Sequence, residues 1–273
     1  MGFHVFDLLA GGLLSSRNLK PNFQASGAPL VSLVIPAFNE AHRLAASVRA
    51  LREFLAYSPH PHEVILVVEQ STDGTLDLAR QLTEGHAAFR VIGNPDQRGK
   101  GHAVRTGMAA ARGEIAFFMD TDLSTPLPEI DHFLAHFAAH PEVDILIGNR
   151  QHAQSAIMKK QSFLRRKMGQ TFNTILRLIA RIRVKDTQCG FKAFRRPARE
   201  AIFPLQTIEG FAFDVELLIL AERLGYSVAD LPVEWHNAEG SKVHIIRDSW
   251  KMLLDAVRVR RVVAQTLTRR NGC

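Results

Sequence analysis

Apolar and polar residues alternate along the chain in two rhythms. "LVSLVIP" (30–36), "EVILVV" (63–68), "FRVI" (89–92), "EIAFFM" (114–119) and "VDILIG" (143–148) are short apolar runs rich in branched and aromatic side chains. Runs of this kind, closed by turn residues, predict buried strands. Between them the apolar positions take helical spacing. Leu44, Val48, Leu51 and Leu55 share one helix face. "STDGT" (71–75) is a turn with an N-cap signal, and Leu76, Leu78, Ala79 and Leu82 follow it on a helix. "DQRGKG" (96–101) is a flexible basic loop opening a helix over 101–111. Pro126 and Pro128 begin another that reaches residue 139.

Strand and helix thus alternate, and the strands are apolar almost throughout. The pattern predicts an α/β fold, a mostly parallel sheet with helices on both faces. Ligands of such sheets bind at strand carboxyl ends. "PAFNE", "VEQSTDGT", "RGKG" and "DTDLSTP" all lie at or just after strand ends, so they are expected to gather on one edge.

Beyond residue 150 the rhythm changes. From Gln151 to Lys185 there are nine basic residues and no acid, and Leu164, Met168, Phe172, Ile175, Ile179 and Ile182 recur at helical spacing. The tail repeats the device, with Ile246, Trp250, Leu253, Leu254 and Val257 forming a stripe among arginines and lysines. A basic amphipathic helix can lie on an anionic membrane, or it can face the core and leave its charges in water. The chain divides into an arm (1–28), a main α/β unit (29–243, with halves 29–150 and 151–243) and a basic C-terminal helix (244–273).

Composition narrows the partners. The formal charge is +7, which favours phosphates, nucleic acid or an acidic membrane surface. Two cysteines, Cys189 and Cys273, exclude a disulfide framework and fit a reducing compartment. No apolar run reaches 18 residues, so no spanning helix is predicted. "MGFHVFDLLAGGLL" lacks a basic start and carries Asp7, so no signal peptide is expected. A cytoplasmic protein is expected, peripheral on the cytoplasmic membrane face if the basic helices bind lipid.

The candidate chemistry centres on "MDTDLSTP". Asp120 and Asp122 end an apolar run, and residues i and i+2 of a strand share a side. Two carboxylates there suit a hard cation that shares its coordination with substrate phosphates. The same residues also read as an acidic turn ahead of Pro126. The order of neighbours adds to this. "VIPAFNE", an acid plus "STDGT", "RGKG" and "MDTDLSTP" follow one another, and "DTQCGFKAFRR" (186–196), "GFAFDVELLILAERLGY" (210–226), "PVEWHNAEGSKV" (232–243) and "RDSWKMLLD" (247–255) come after them. This series resembles the family 2 glycosyltransferases of GT-A (Rossmann-like) fold, and within them the dolichyl-phosphate or polyprenyl-phosphate β-glucosyltransferases. The likeness spans residues 29–260.

The resemblance implies roles. Pro36, Phe38 and Glu40 would line the nucleotide pocket, and Glu69 would meet the base. Arg98 and Lys100 would hold base or phosphate, and Asp120 the nucleotide side. Asp122 would hold Mg²⁺ or Mn²⁺, with Ser124 nearby. Arg150 and Arg165 resemble positions holding the acceptor phosphate, and Asp186 would bind donor sugar or orient an arginine. The implied reaction is inverting transfer of a hexose, glucose from UDP-glucose, to a polyprenyl or dolichyl phosphate. A sugar hydroxyl acceptor would need a base, for which "FDVE" offers Asp214, with Glu216 behind it. An anionic lipid phosphate needs positioning instead, and Arg165 serves that. One stretch departs from the pattern: relatives read "VDDGSTDGT" where this chain reads "VVEQSTDGT". The change bears on donor choice, or is neutral at a tolerant strand end.

Transfer to a soluble sugar or small hydroxyl acceptor is the alternative within the same chemistry. Nucleic-acid binding fits the charge, but no aromatic stacking motif accompanies it. A dehydrogenase is disfavoured because no G-x-G-x-x-G follows the first strand.

Overall fold

A computed structural model describes residues 30–150, 184–236, 259 and 261–268. The arm, the basic segment 151–183 with Arg165, and the stripe 246–257 lie outside the described residues.

The five expected strands form where the apolar runs fall: β1 (Val31–Ala37), β2 (His62–Val68), β3 (Phe89–Gly93), β4 (Ile115–Phe118) and β5 (Ile145–Asn149). The helices are α1 (Ala41–Tyr57), α2 (Thr75–Thr83), α3 (Lys100–Ala110) and α4 (Glu129–Ala139). Two further strands, β6 (Lys192–Arg195) and β7 (Val228–Pro232), flank α5 (Arg196–Ile202) and α6 (Phe213–Leu224). Residues 261–268 are helical, with Val259 and Val263 buried.

Sheet order is β3-β2-β1-β4-β6-β5-β7. β1 pairs in parallel with both β2 and β4, so the chain steps outward to β3 and then crosses back to the other side of β1. That reversal opens a crevice beyond the strand carboxyl ends, where ligands bind in such sheets. One feature departs from the expected parallel run. β6 is wedged antiparallel between β4 and β5. Its four residues, KAFR, are too short and too charged to show as an apolar run.

The core explains the wedge. Phe191 packs edge-on against Phe133 at 4.7 Å between ring centres and also meets Phe117, while Phe194 meets Phe118 and Phe203. Aromatic pairs in such offset geometry add about 0.5–1.5 kcal/mol beyond burial. They anchor the segment 184–195 across β4 and bring its loop over the end of that strand.

Candidate active site

The loops after β1 and β2 are knitted together. Asn39, at φ 52°, accepts the Thr72 N–H at 2.8 Å and donates its own N–H to Ser71. Asp73 accepts the N–H of Ala41, at the start of α1, and the N–H of Thr75, at the start of α2. The N-cap positions are Glu40 and Gly74, without a side-chain cap bond, and Asp73 of "STDGT" instead holds the first N–H of both helices.

Strand β4 stops at Phe118, so Asp120 and Asp122 occupy a turn rather than alternate strand positions. Leu123 turns the chain at φ 50°, and Asp122 Oδ1 accepts the Ser124 N–H at 3.0 Å. Both carboxylates still line one cleft of about 390 Å³, within the size range of small-molecule sites. Pro36, Phe38, Glu40, Glu69 and Lys100 line it too. Gln97, Thr121 and Phe211 also line it, from within the quoted motifs but with no role assigned to them there, and so does Arg43, which lies outside every motif.

Charge in the cleft is organised in pairs. Lys100 Nζ sits 2.5 Å from Asp120 Oδ1. Burial would lower the Lys100 pKa, but Asp120, Asp214 and Asp122 outweigh it and hold the ammonium above its ordinary range. Arg43 lies 2.8 Å from Glu40 and 3.6 Å from Asp122. Behind Lys100, Asp214 is buried and bonded to Lys192 Nζ, which also donates to the Cys189 carbonyl at 2.6 Å. Burial pushes the Asp214 carboxyl up, and Lys192 and Lys100 offset this only in part. Asp214 does not line the cleft. Gly190 passes so close to Asp120 that a β-carbon there would overlap its carboxylate.

Arg150, expected at the acceptor, meets Asp186, expected to bind donor sugar or orient an arginine. The guanidinium forks onto the carboxylate at 2.8 and 2.9 Å, and the Arg150 N–H adds a third bond at 3.0 Å. Burial would raise the Asp186 pKa, but Arg150 outweighs it and holds the carboxyl below the usual range. Arg150 also lies over the Trp235 ring at 4.8 Å. The Arg98 side chain pairs with Glu209 and is not part of the cleft wall. Ser124 is buried, and its carbonyl accepts the His236 N–H. Cys189 is buried, which pushes its thiol up to about 11, so the loop carries no ready thiolate. Glu216 bonds Thr207 and Ile208 and holds the chain ahead of α6. At the departure from the common pattern, Val68 packs inside β2 and Gln70 is exposed.

The donor set fits a hard cation. Asp120 and Asp122 offer carboxylate oxygens at the cleft wall. Among the described residues no group of three metal-ligating side chains gathers. Asp120 and Asp122 would supply part of a coordination shell, with phosphate oxygens completing it, as magnesium sites commonly do.

Comparison with known proteins matches the geometry. The sequence model of glycosyl transferase family 2 fits residues 32–203. A dolichyl-phosphate beta-glucosyltransferase of Drosophila melanogaster is 36% identical over 234 residues, 82% of this chain and 72% of that one. The protein of that name in Saccharomyces cerevisiae is 32% identical, covering 84% and 74%. Among solved structures, glucosyl-3-phosphoglycerate synthase from Mycobacterium tuberculosis, in complex with Mn²⁺, UDP and phosphoglyceric acid, superposes with a TM-score of 0.62 at 18% identity. The match covers 86% of this chain and 78% of that one, and shows the shared GT-A fold. With its family match, its fold and an acid pair facing a lysine at the strand ends, this chain belongs to glycosyltransferase family 2.

Proposed function

We propose that the protein transfers glucose from UDP-glucose, with inversion, to a polyprenyl or dolichyl phosphate at a membrane surface. The observation that carries the reading is the cleft itself, where Lys100, Asp120 and Asp122 converge at the switch point of the sheet. The Drosophila and yeast relatives supply the direction of the acceptor.

The donor diphosphate would lie against Asp120 and Asp122, with Lys100 placed to meet phosphate oxygens. Phe38 and Pro36 offer an apolar wall for the nucleoside. Asp120 and Asp122, with Ser124 beside them, would hold Mg²⁺ or Mn²⁺, which when bound offsets charge on the leaving diphosphate. The acceptor attacks the anomeric carbon from the face opposite that leaving group. A lipid phosphate arrives as an anion, so the protein must orient it rather than remove a proton. Asp214, sealed beneath the cleft against Lys192, suits a positioning role better than that of a base. Asp186 holds Arg150 in one direction, and a planar guanidinium suits phosphate. Arg165 and the basic segment around it would supply further phosphate and membrane contact. No helix among the described residues is long and apolar enough to cross a membrane.

The test is a panel of nucleotide sugars, with Mg²⁺, Mn²⁺ or chelator, offered to polyprenyl phosphate in vesicles. Glucose should move from UDP-glucose, and chelator should stop it. Failure of every donor with every lipid phosphate would overturn the reading. Transfer only to a small hydroxyl acceptor, lost in Asp214→Asn, would establish the alternative.

A further inference from the structure

Glu69 stands where the family resemblance puts a reader of the donor base. Its surroundings leave it no capacity for that. The residue is 2% exposed, and its carboxylate accepts four hydrogen bonds. Oε1 takes Asn94 Nδ2 at 2.7 Å and His102 Nδ1 at 2.9 Å. Oε2 takes the backbone N–H of Arg98 at 2.6 Å and of Gly99 at 3.0 Å. An ionised carboxylate has about four lone-pair sites, so all are occupied. These bonds outweigh the cost of burial and keep the group ionised, with its pKa below the usual value.

The four donors have one thing in common. They flank or belong to the "RGKG" turn that carries Lys100 to Asp120. Gly99 takes φ 125° there, a conformation that glycine adopts without strain. The opposite side of the turn is fastened too. The Glu209 carbonyl accepts the N–H of Gly101 at 2.7 Å and of His102 at 3.2 Å. Arg98 pairs with the Glu209 side chain. The turn is thus clamped between the end of β2 and the segment ahead of α6.

We propose that Glu69 is a positioning residue: it clips the Arg98–Lys100 turn so that Lys100 faces the donor diphosphate, and it takes no part in choosing the base. The inference rests on reading the cleft as the donor site. It also accounts for the glutamate in "VVEQ": the longer side chain reaches across to two backbone amides on the next loop. Base choice then falls to other groups on the cleft wall.

The test is calorimetric binding of UDP, CDP, GDP and ADP with Mg²⁺, with kcat and KM for UDP-glucose, on wild type and three variants. Glu69→Gln converts one acceptor oxygen to a donor and should weaken all four nucleotides alike, by about tenfold. Their order of preference should hold, and KM should rise more than kcat falls. Asn94→Ala leaves the carboxylate intact and should weaken the four by a smaller common factor. Glu69→Gln with Asn94→Asp reverses the polarity of one bond, His102 can take its other tautomer, and both backbone amides keep an acceptor. That pair should recover most of the affinity, which a general loss of stability would not predict. A preference order that changes in Glu69→Gln and is not restored in the double variant would overturn the proposal. Should Glu69→Gln fail to fold, a changed order in Asn94→Ala, or no loss there, would overturn it equally. Wild-type protein that binds none of the four would instead bring down the donor reading beneath it.

Discussion

Lys100–Asp120 and Lys192–Asp214 are the same chemical pair at the same 2.5 Å separation, and they sit close enough to influence each other. Water separates their behaviour. The Lys100 and Asp120 side chains are 20% and 32% exposed, whereas those of Lys192 and Asp214 are 0% and 5%. A pair at the cleft can trade its partner for a ligand, because water and phosphate both compensate for separating it. A sealed pair cannot, because a lone charge there would remain uncompensated. The outer pair is therefore suited to binding, and the inner pair to holding shape. Lys192 ties β6 to α6 and to the Cys189 carbonyl, and its ammonium lies 5.2 Å from the centre of the Phe118 ring.

The strongest way to break this contrast is Lys192→Met. It should cost about 3–5 kcal/mol of stability by leaving Asp214 buried and unpaired. Lys100→Met should cost no more than about 1 kcal/mol, as partly exposed pairs do. Urea melts of both variants decide it, and equal losses would collapse the distinction. Asp120→Asn should act in the opposite sense, lowering transfer by about a hundredfold, the scale of one lost electrostatic contact in a site. Its melting should remain near wild type.

Gly190→Ala joins the two regions. The added methyl overlaps Asp120, so the loop before β6 or the carboxylate must move. A stability loss of about 1–3 kcal/mol is expected, with a rise in donor KM. Wild-type KM would mean that the loop yields and Asp120 does not.

The smallest effect concerns pH. Asp186 has a folded pKa below its unfolded value because Arg150 outweighs its burial. Its contribution is complete above the unfolded pKa, about 3.9, and is lost as pH falls through the folded value. Denaturation midpoints should therefore fall more steeply in acid for wild type than for Asp186→Asn. Parallel slopes would show that the pair adds no stability.

Much of the donor side was legible because its signals are local. Apolar runs β1 to β5 needed only periodicity, and Asp120 and Asp122 follow one of them directly. The acceptor side depends on contacts distant in sequence. No local pattern marks Lys192, yet it is fully buried and its partner Asp214 lies 22 residues on. Arg150 was expected to meet ligand and Asp186 to bind donor sugar or orient an arginine, but which arginine was open, and their forked pair spans 36 residues. Arg43 enters the cleft one helical turn after Glu40, a placement that amphipathic spacing assigns to the solvent side.

The sequence by itself determined the strand and helix order as far as β5, the edge on which the loops gather, the acid pair and the family. These follow from short-range patterns and from motif order, which survive without coordinates. Only the tertiary structure decided who partners whom. The antiparallel entry of β6, the sealing of Asp214 and the four bonds that fill Glu69 arise where separate segments compete for the same space and the same hydrogen bonds. A carboxylate's role depends on what remains of its bonding capacity after folding, and that remainder cannot be read one residue at a time.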